Sequence, residues 1–179
     1  MTAAAAFAAW AGAAVIVLAD GRRGLAVGIA LIGVGFCALG WLAGDWFGGA
    51  ALLAGAVVCA IQLLRSGRQD WGMMPPGSTA RLILAAVGGI LSLWVAASVT
   101  TGAGAPLRFA SVAVMGLMAA RLLQGQKAVQ VLTASAGLAI ALAAASAVGR
   151  TAPGLVPYLV AGVIAAGASL LPNTEPRGA

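Results

Sequence analysis

Between Gly24 and Leu64 the chain carries one charged side chain, Asp45, and residues 1–19, 82–107 and 128–149 carry none. No other feature restricts the fold as much. Side chains of this kind cannot cover a water-soluble domain. Across the 179 residues 62% are hydrophobic and 8% charged, where soluble domains carry about 25% charged residues. A helix of about 20 apolar residues crosses a bilayer. The fold class that follows is all-α: a polytopic integral membrane helical bundle, one transmembrane domain over residues 1–179.

Seven runs are candidate spans: 3–19, 24–43, 49–64, 82–99, 107–123, 128–148 and 155–171. The third is short and has room to borrow residues from the preceding GDWFGG. Apart from 65–81 the connections are tight and Gly-rich, so successive helices are expected to be antiparallel neighbours. The first run has no Lys or Arg in front of it and carries Trp10 at its middle. A cleaved signal peptide has a basic start, so this segment reads as a retained helix.

Lys and Arg set the orientation. With the N-terminus outside, the inner connections hold Arg22, Arg23, Arg65, Arg68, Arg81, Arg121, Lys127 and Arg177, and the outer ones hold Arg108 and Arg150. That bias predicts N-out and C-in. Trp41, Trp46, Phe47, Phe109 and Tyr158 then fall near the outer boundary, where an aromatic belt belongs, and Trp71 falls at the inner one. The same placement explains the net charge of +6 by topology and excludes a basic nucleic-acid-binding face. A bacterial plasma membrane is the expected location.

Packing between such helices relies on small residues that let backbones approach. The candidates are Gly24, Gly28, Gly40, Gly44 and Gly48, spaced as Gly-x-x-x-Gly, and the pair Gly88-Gly89. They suit tight contacts within the chain, or a face that docks another subunit or a flat cofactor. A faint repeat joins CAIQLLRS, MAARLLQG and AGASLLPN, with Gln62, Arg121 or Ser169 ahead of Leu-Leu; it suggests one helix followed by three helical hairpins. The helix count and the outside N-terminus resemble those of the sugar transporters built as three plus one plus three helices. Their Pro-Gln signature is missing from this sequence.

Chemistry is sparse. Ionisable groups deep in a membrane mark function, yet Asp20, Asp45, Asp70 and Glu175 lie at span ends or in connections. Arg121 lies about one turn inside the inner boundary, from where a long side chain can snorkel outward. Ser92, Ser111, Thr133, Ser135 and Ser146 are expected to bond their own helix backbone. Cys37 and Cys59 read as buried apolar residues. There is no His, which removes His-ligated haem and imidazole proton shuttles. Pro157, read as one turn inside the last span, has no matching break elsewhere, so the paired broken helices of coupled transporters are not indicated. Asp20 after the first span and Gly67-Arg68-Gln69-Asp70 after the third resemble the membrane aspartyl peptidases that process prepilins, whose two carboxylates share a proton. Gln69 stands where that family has Gly, and the loop round Asp70 is long.

The long inner connection 65–81 stands apart. Arg65, Arg68 and Arg81 against Asp70 leave it basic, and Trp71, Met73 and Met74 form a short apolar patch. It is either a plain linker or a surface that docks on anionic lipid and on a partner. With no catalytic set, no metal ligands and no evident cofactor, the expected function is that of a small accessory or structural subunit of a larger membrane complex, not an enzyme. It would pack against membrane lipids, other membrane subunits or its own copies, with room for a bound lipid or pigment. The alternative is a transporter or channel for a neutral or apolar small solute, and an aspartyl peptidase-like enzyme is the remote one.

Overall fold

The computed structural model describes residues 1–66, 71, 79–98, 100–102, 104–125, 127–148, 154–168 and 170, and side chains over the same residues except 79–82, 84 and 85. All regular structure among them is helical: α1 Thr2–Leu18, α2 Arg22–Leu42, α3 Trp46–Arg65, α4 Thr79–Ser98, α5 Ala105–Gln124, α6 Ala128–Ser146 and α7 Val156–Ala168. Four of them, α2, α3, α5 and α6, are long and apolar enough to cross a membrane; α1 and α7, with 17 and 13 residues, are shorter apolar helices.

Local chemistry sets the boundaries. Helix α3 starts at Trp46, so it does take residues from GDWFGG. Asp45 caps it, its Oδ1 accepting from the Gly48 backbone N–H at 3.0 Å, and this satisfies one of the free donors of the first turn. Gly44 makes the preceding reversal with φ +85°, a conformation that favours glycine. Pro106 lies in the first turn of α5. Pro157 is the second residue of α7; it therefore starts that helix, where its missing N–H has no acceptor to serve, and does not interrupt it.

The helices form two four-helix cells with a common wall. Helices α1, α2, α6 and α5 make one cell and α2, α3, α7 and α6 the other, so α2 and α6 belong to both. Helix α4 stands outside, packed on α5 and touching α1 at an edge. Consecutive helices touch with one exception: among the described residues α3 and α4 share no contact. Trp71, described between them, has its carbonyl oxygen 3.6 Å from where a Cβ on Gly24 would sit, at the start of α2.

Where the cells meet, the centre is filled. A Cβ on Gly137 of α6 would lie 2.8 Å from Met118 Sδ of α5 and 3.5 Å from Ile32 Cδ1 of α2. Met118, Ile32, Ile29, Phe36 and Ile140 are all fully buried. Backbones approach most closely where two small residues meet. Gly12 and Gly28 face each other across α1 and α2, each blocking the other's missing Cβ with its carbonyl oxygen at 2.6 and 2.8 Å. Gly55 of α3 meets the backbone of Gly162 of α7 in the same way, with Gly162 Cα at 2.7 Å.

Candidate functional site

Polar chemistry gathers at the two ends of the bundle. At one end α1 turns into α2 through Ala19 and Asp20, and α5 finishes beside α6. Arg121 of α5 is completely buried there. Its Nη2 donates to Asp20 Oδ1 and to the Ala19 carbonyl oxygen, both at 2.7 Å. Gln130 of α6 donates from Nε2 to the same Asp20 oxygen at 2.9 Å. Its Oε1 faces the Lys127 N–H at 3.4 Å. One carboxylate thus ties the α1–α2 turn to α5 and α6. Arg121 does not snorkel outward; its charge is met inside by Asp20, whose side chain is 18% exposed.

The network is incomplete. Arg121 Nε and Nη1 are buried with no hydrogen-bond partner, and so are both polar atoms of Gln124, one turn further along α5. Each buried polar group left without a partner costs about 1–3 kcal/mol, so this end carries stored cost. The Asp20–Arg121 pair therefore joins the α1–α2 turn to α5 and, through Gln130, to α6, while donors of Arg121 stay unsatisfied.

At the opposite end a cavity of about 400 Å³ opens among the α2–α3 turn, the end of α6 and the starts of α5 and α7. Asp45, Tyr158, Phe36, Phe47, Leu107 and Ala147 are among its lining residues. Asp45 Oδ1 holds the α3 cap, while its Oδ2 is buried against Gly48. The Tyr158 side chain lies beside that carboxylate. Tyr158 is buried, so it belongs to this cavity and not to the exposed aromatic belt. Trp41 and Trp46 do stand exposed on the same turn, their rings stacked at 5.8 Å.

A third feature runs along the side. Two adjoining apolar hollows of about 330 and 400 Å³ share Trp10 and Leu93 and lie between α1 and α4, over α5. The outer face of α4 is apolar and bare, with Ile90 and Trp94 at 66% and 72% exposure.

The hydroxyls are spent locally. Thr133 and Ser135 donate to the carbonyls of Val129 and Val131, and Ser92 and Ser146 to those of Gly89 and Ala143. Ser111 is the exception, its Oγ buried without a partner. Cys37 and Cys59 are buried and are not joined by a disulfide.

Of the residues singled out in the long connection, Arg65 is exposed at the end of α3 and Trp71 is 54% exposed. Arg68, Asp70, Met73 and Met74 lie outside the described residues, as does the side chain of Arg81. An Asp20–Asp70 pairing has no described geometry, and the Asp20 carboxylate is engaged with Arg121 and Gln130. Among the glycines, Gly24, Gly28, Gly40 and Gly48 sit against neighbours that a Cβ would strike at 3.1 Å or less. Gly44 has open space and serves the turn, and Gly88 and Gly89 have ordinary clearance from Ala120 and Leu117, 3.5 and 3.9 Å. Gly12, Gly35, Gly55, Gly116, Gly137 and Gly162 lie in no Gly-x-x-x-Gly pair with one another yet make close crossings. That Gly12 meets Gly28 could be found only by pairing two helices, not by scanning one.

No protein-family model, curated protein or solved structure matches the chain.

Proposed function

We propose that the chain is a seven-span protein of the bacterial plasma membrane, N-terminus outside and C-terminus inside, which serves as a helical subunit of a larger membrane assembly and has no chemistry of its own. The supporting observation is the filled centre. Met118, Ile32 and Phe36 close the space where the two helix cells meet, and a solute path would need that space. Along the sides, the apolar groove between α1 and α4 and the bare face of α4 remain open. In a bilayer such surfaces take a lipid chain, a flat pigment or the helix of a partner. The basic connection 65–81 lies at the inner face in this orientation and adds attraction to anionic lipid, about 1 kcal/mol per basic residue near the surface.

The second reading, a transporter or channel for a small neutral solute, draws on the cavity of about 400 Å³ at the Asp45 end. One experiment separates the two. The tagged protein is purified from its native membrane in mild detergent, weighed by native mass spectrometry, and reconstituted for solute flux. A subunit arrives with a stoichiometric membrane partner and leaves liposomes as tight as protein-free ones. A single homogeneous chain that speeds the flux of a neutral solute contradicts the subunit reading.

A further inference from the structure

We propose that α4 is a lateral gate. It rocks on α5 between the position seen here, which leaves the groove beside α1 open to the bilayer, and a second in which it closes that groove against α1. Helix α4 is the least embedded of the seven: of its described side chains only Ser92 and Ala96 are buried. With Gly88 they lie on one stripe at four-residue spacing, which holds nothing larger than Ser. Gly88 and Ser92 face Ala120 and Gly116 of α5. Only the Ser92 contact is tight. A Cβ on Gly116 would lie 2.8 Å from Ser92 Cβ, while one on Gly88 would lie 3.5 Å from Ala120 Cβ. A single row of small residues lets two backbones approach, but it interlocks no large side chains, so it resists rocking about its tight point only weakly.

Both ends of α4 permit the movement. At the outer end Gly102 and Gly104 take φ of +81° and +78°, with open space where a side chain would begin. An exposed hydrogen bond from Arg108 Nη1 to the Thr101 carbonyl oxygen, at 2.9 Å, ties that turn to α5. At the inner end α3, the preceding helix, shares no contact with α4 among the described residues. The groove supplies the room. Its two hollows, about 330 and 400 Å³, share Trp10 and Leu93, and rolling α4 towards α1 brings Leu93 and Ile90 against Trp10 and Ala14. In water that burial would hold the groove shut. Lipid tails are as apolar as Leu, so in a bilayer only packing favours closure, and tails compete for the same walls. The two positions therefore lie close in free energy, and lipid chains fill the open one from the side. Closure requires no partner, so the chain alone suffices to test it.

The test uses the full chain in nanodiscs, with Cys37 and Cys59 replaced by Ala, and pulsed electron–electron double resonance between spin labels. One pair, Ala4→Cys with Ser98→Cys, sits at exposed positions near the outer ends of α1 and α4. Two distance populations are expected, several ångströms apart, the shorter matching helix axes about 8–10 Å from each other, the spacing of packed helices. Ala14→Trp, on the α1 wall of the groove, should wedge it open and remove the shorter population. The reference pair, Ala4→Cys with Phe47→Cys, joins α1 to α3 across the close crossing of Gly12 with Gly28 and should give one narrow distance throughout. A single distance for the first pair, a shorter population that survives Ala14→Trp, or the same double distribution in the reference pair each overturns the gate. Should Ala14→Trp fail to fold, Ala86→Trp decides. Ala86 is exposed on the α4 wall of the same groove, so the shorter population must again be lost, and its survival overturns the gate.

Discussion

Asp20 joins three elements through one carboxylate, and the two members of its pair with Arg121 differ in what they leave behind when removed. Asp20→Asn strands a guanidinium that is wholly buried. Breaking a buried pair in this way costs about 3–5 kcal/mol, because an uncompensated charge remains inside. Arg121→Met leaves a carboxylate that is already partly in water and keeps its bond from Gln130, so the loss should be about 1–2 kcal/mol. The double variant should recover much of the Asp20→Asn loss, since a neutral, well-packed replacement of a buried pair is often tolerated. Thermal unfolding in detergent micelles measures all three. Equal losses for the two single variants, or plain additivity in the double, would show that the pair is not coupled. The pairing could not be read from the sequence. Arg121 was legible as a residue one turn from a boundary, but Asp20 lies 101 positions away, and only the meeting of α5 with the α1–α2 turn joins them.

At the scale of elements the bundle depends on where backbones touch. A Cβ on Gly55 would lie 2.7 and 2.9 Å from the backbone of Gly162, and backbone cannot step aside as a side chain can. Gly55→Ala should therefore lower stability by about 1–3 kcal/mol, the usual cost of overpacking. Gly89→Ala meets only Leu117 at 3.9 Å and should be neutral or stabilising by a few tenths of a kcal/mol, because Ala favours helix. Unfolding midpoints of the two variants side by side provide the check; a Gly55→Ala midpoint equal to wild type would contradict the close crossing. The helices themselves were legible. Uninterrupted apolar runs place each to within a few residues, and the short third run was extended by its Asp45 cap as its neighbours allowed. The contacts were less legible, since Gly-x-x-x-Gly spacing describes one helix while a crossing needs a small residue on each of two. Gly44 shows the difference, for it fits the spacing but serves a turn.

For the molecule as a whole, the chain order places α3 and α4 on different sides of the bundle. The contacts run from α3 through α2 and α1 to α4, three helix spacings, about 24–30 Å at 8–10 Å each. Thirteen links from residue 66 to residue 79 reach at most about 45 Å at 3.3–3.6 Å per residue, which is enough. Deleting residues 69–76 leaves five links and about 17 Å, which is too short. The deletion should keep α4 from reaching α5, with loss of folded protein in size-exclusion chromatography. A Gly/Ser replacement of 69–77 at equal length should fold, and it then reports whether partners recognise this segment's side chains. A deletion variant that elutes like wild type would place α3 and α4 closer than the fold has them.

Every statement about inner and outer faces rests on seven crossings with the termini on opposite sides, and cysteine labelling in sealed, oriented membranes tests it most directly. Cys37 and Cys59 are first replaced with Ala, and single changes are made at exposed positions. Arg23→Cys and Lys127→Cys should react with a membrane-impermeant maleimide only from the cytoplasmic side. Phe47→Cys and Thr101→Cys should react only from the outer side. Labelling of all four from one side, or with the two pairs exchanged, would contradict the arrangement.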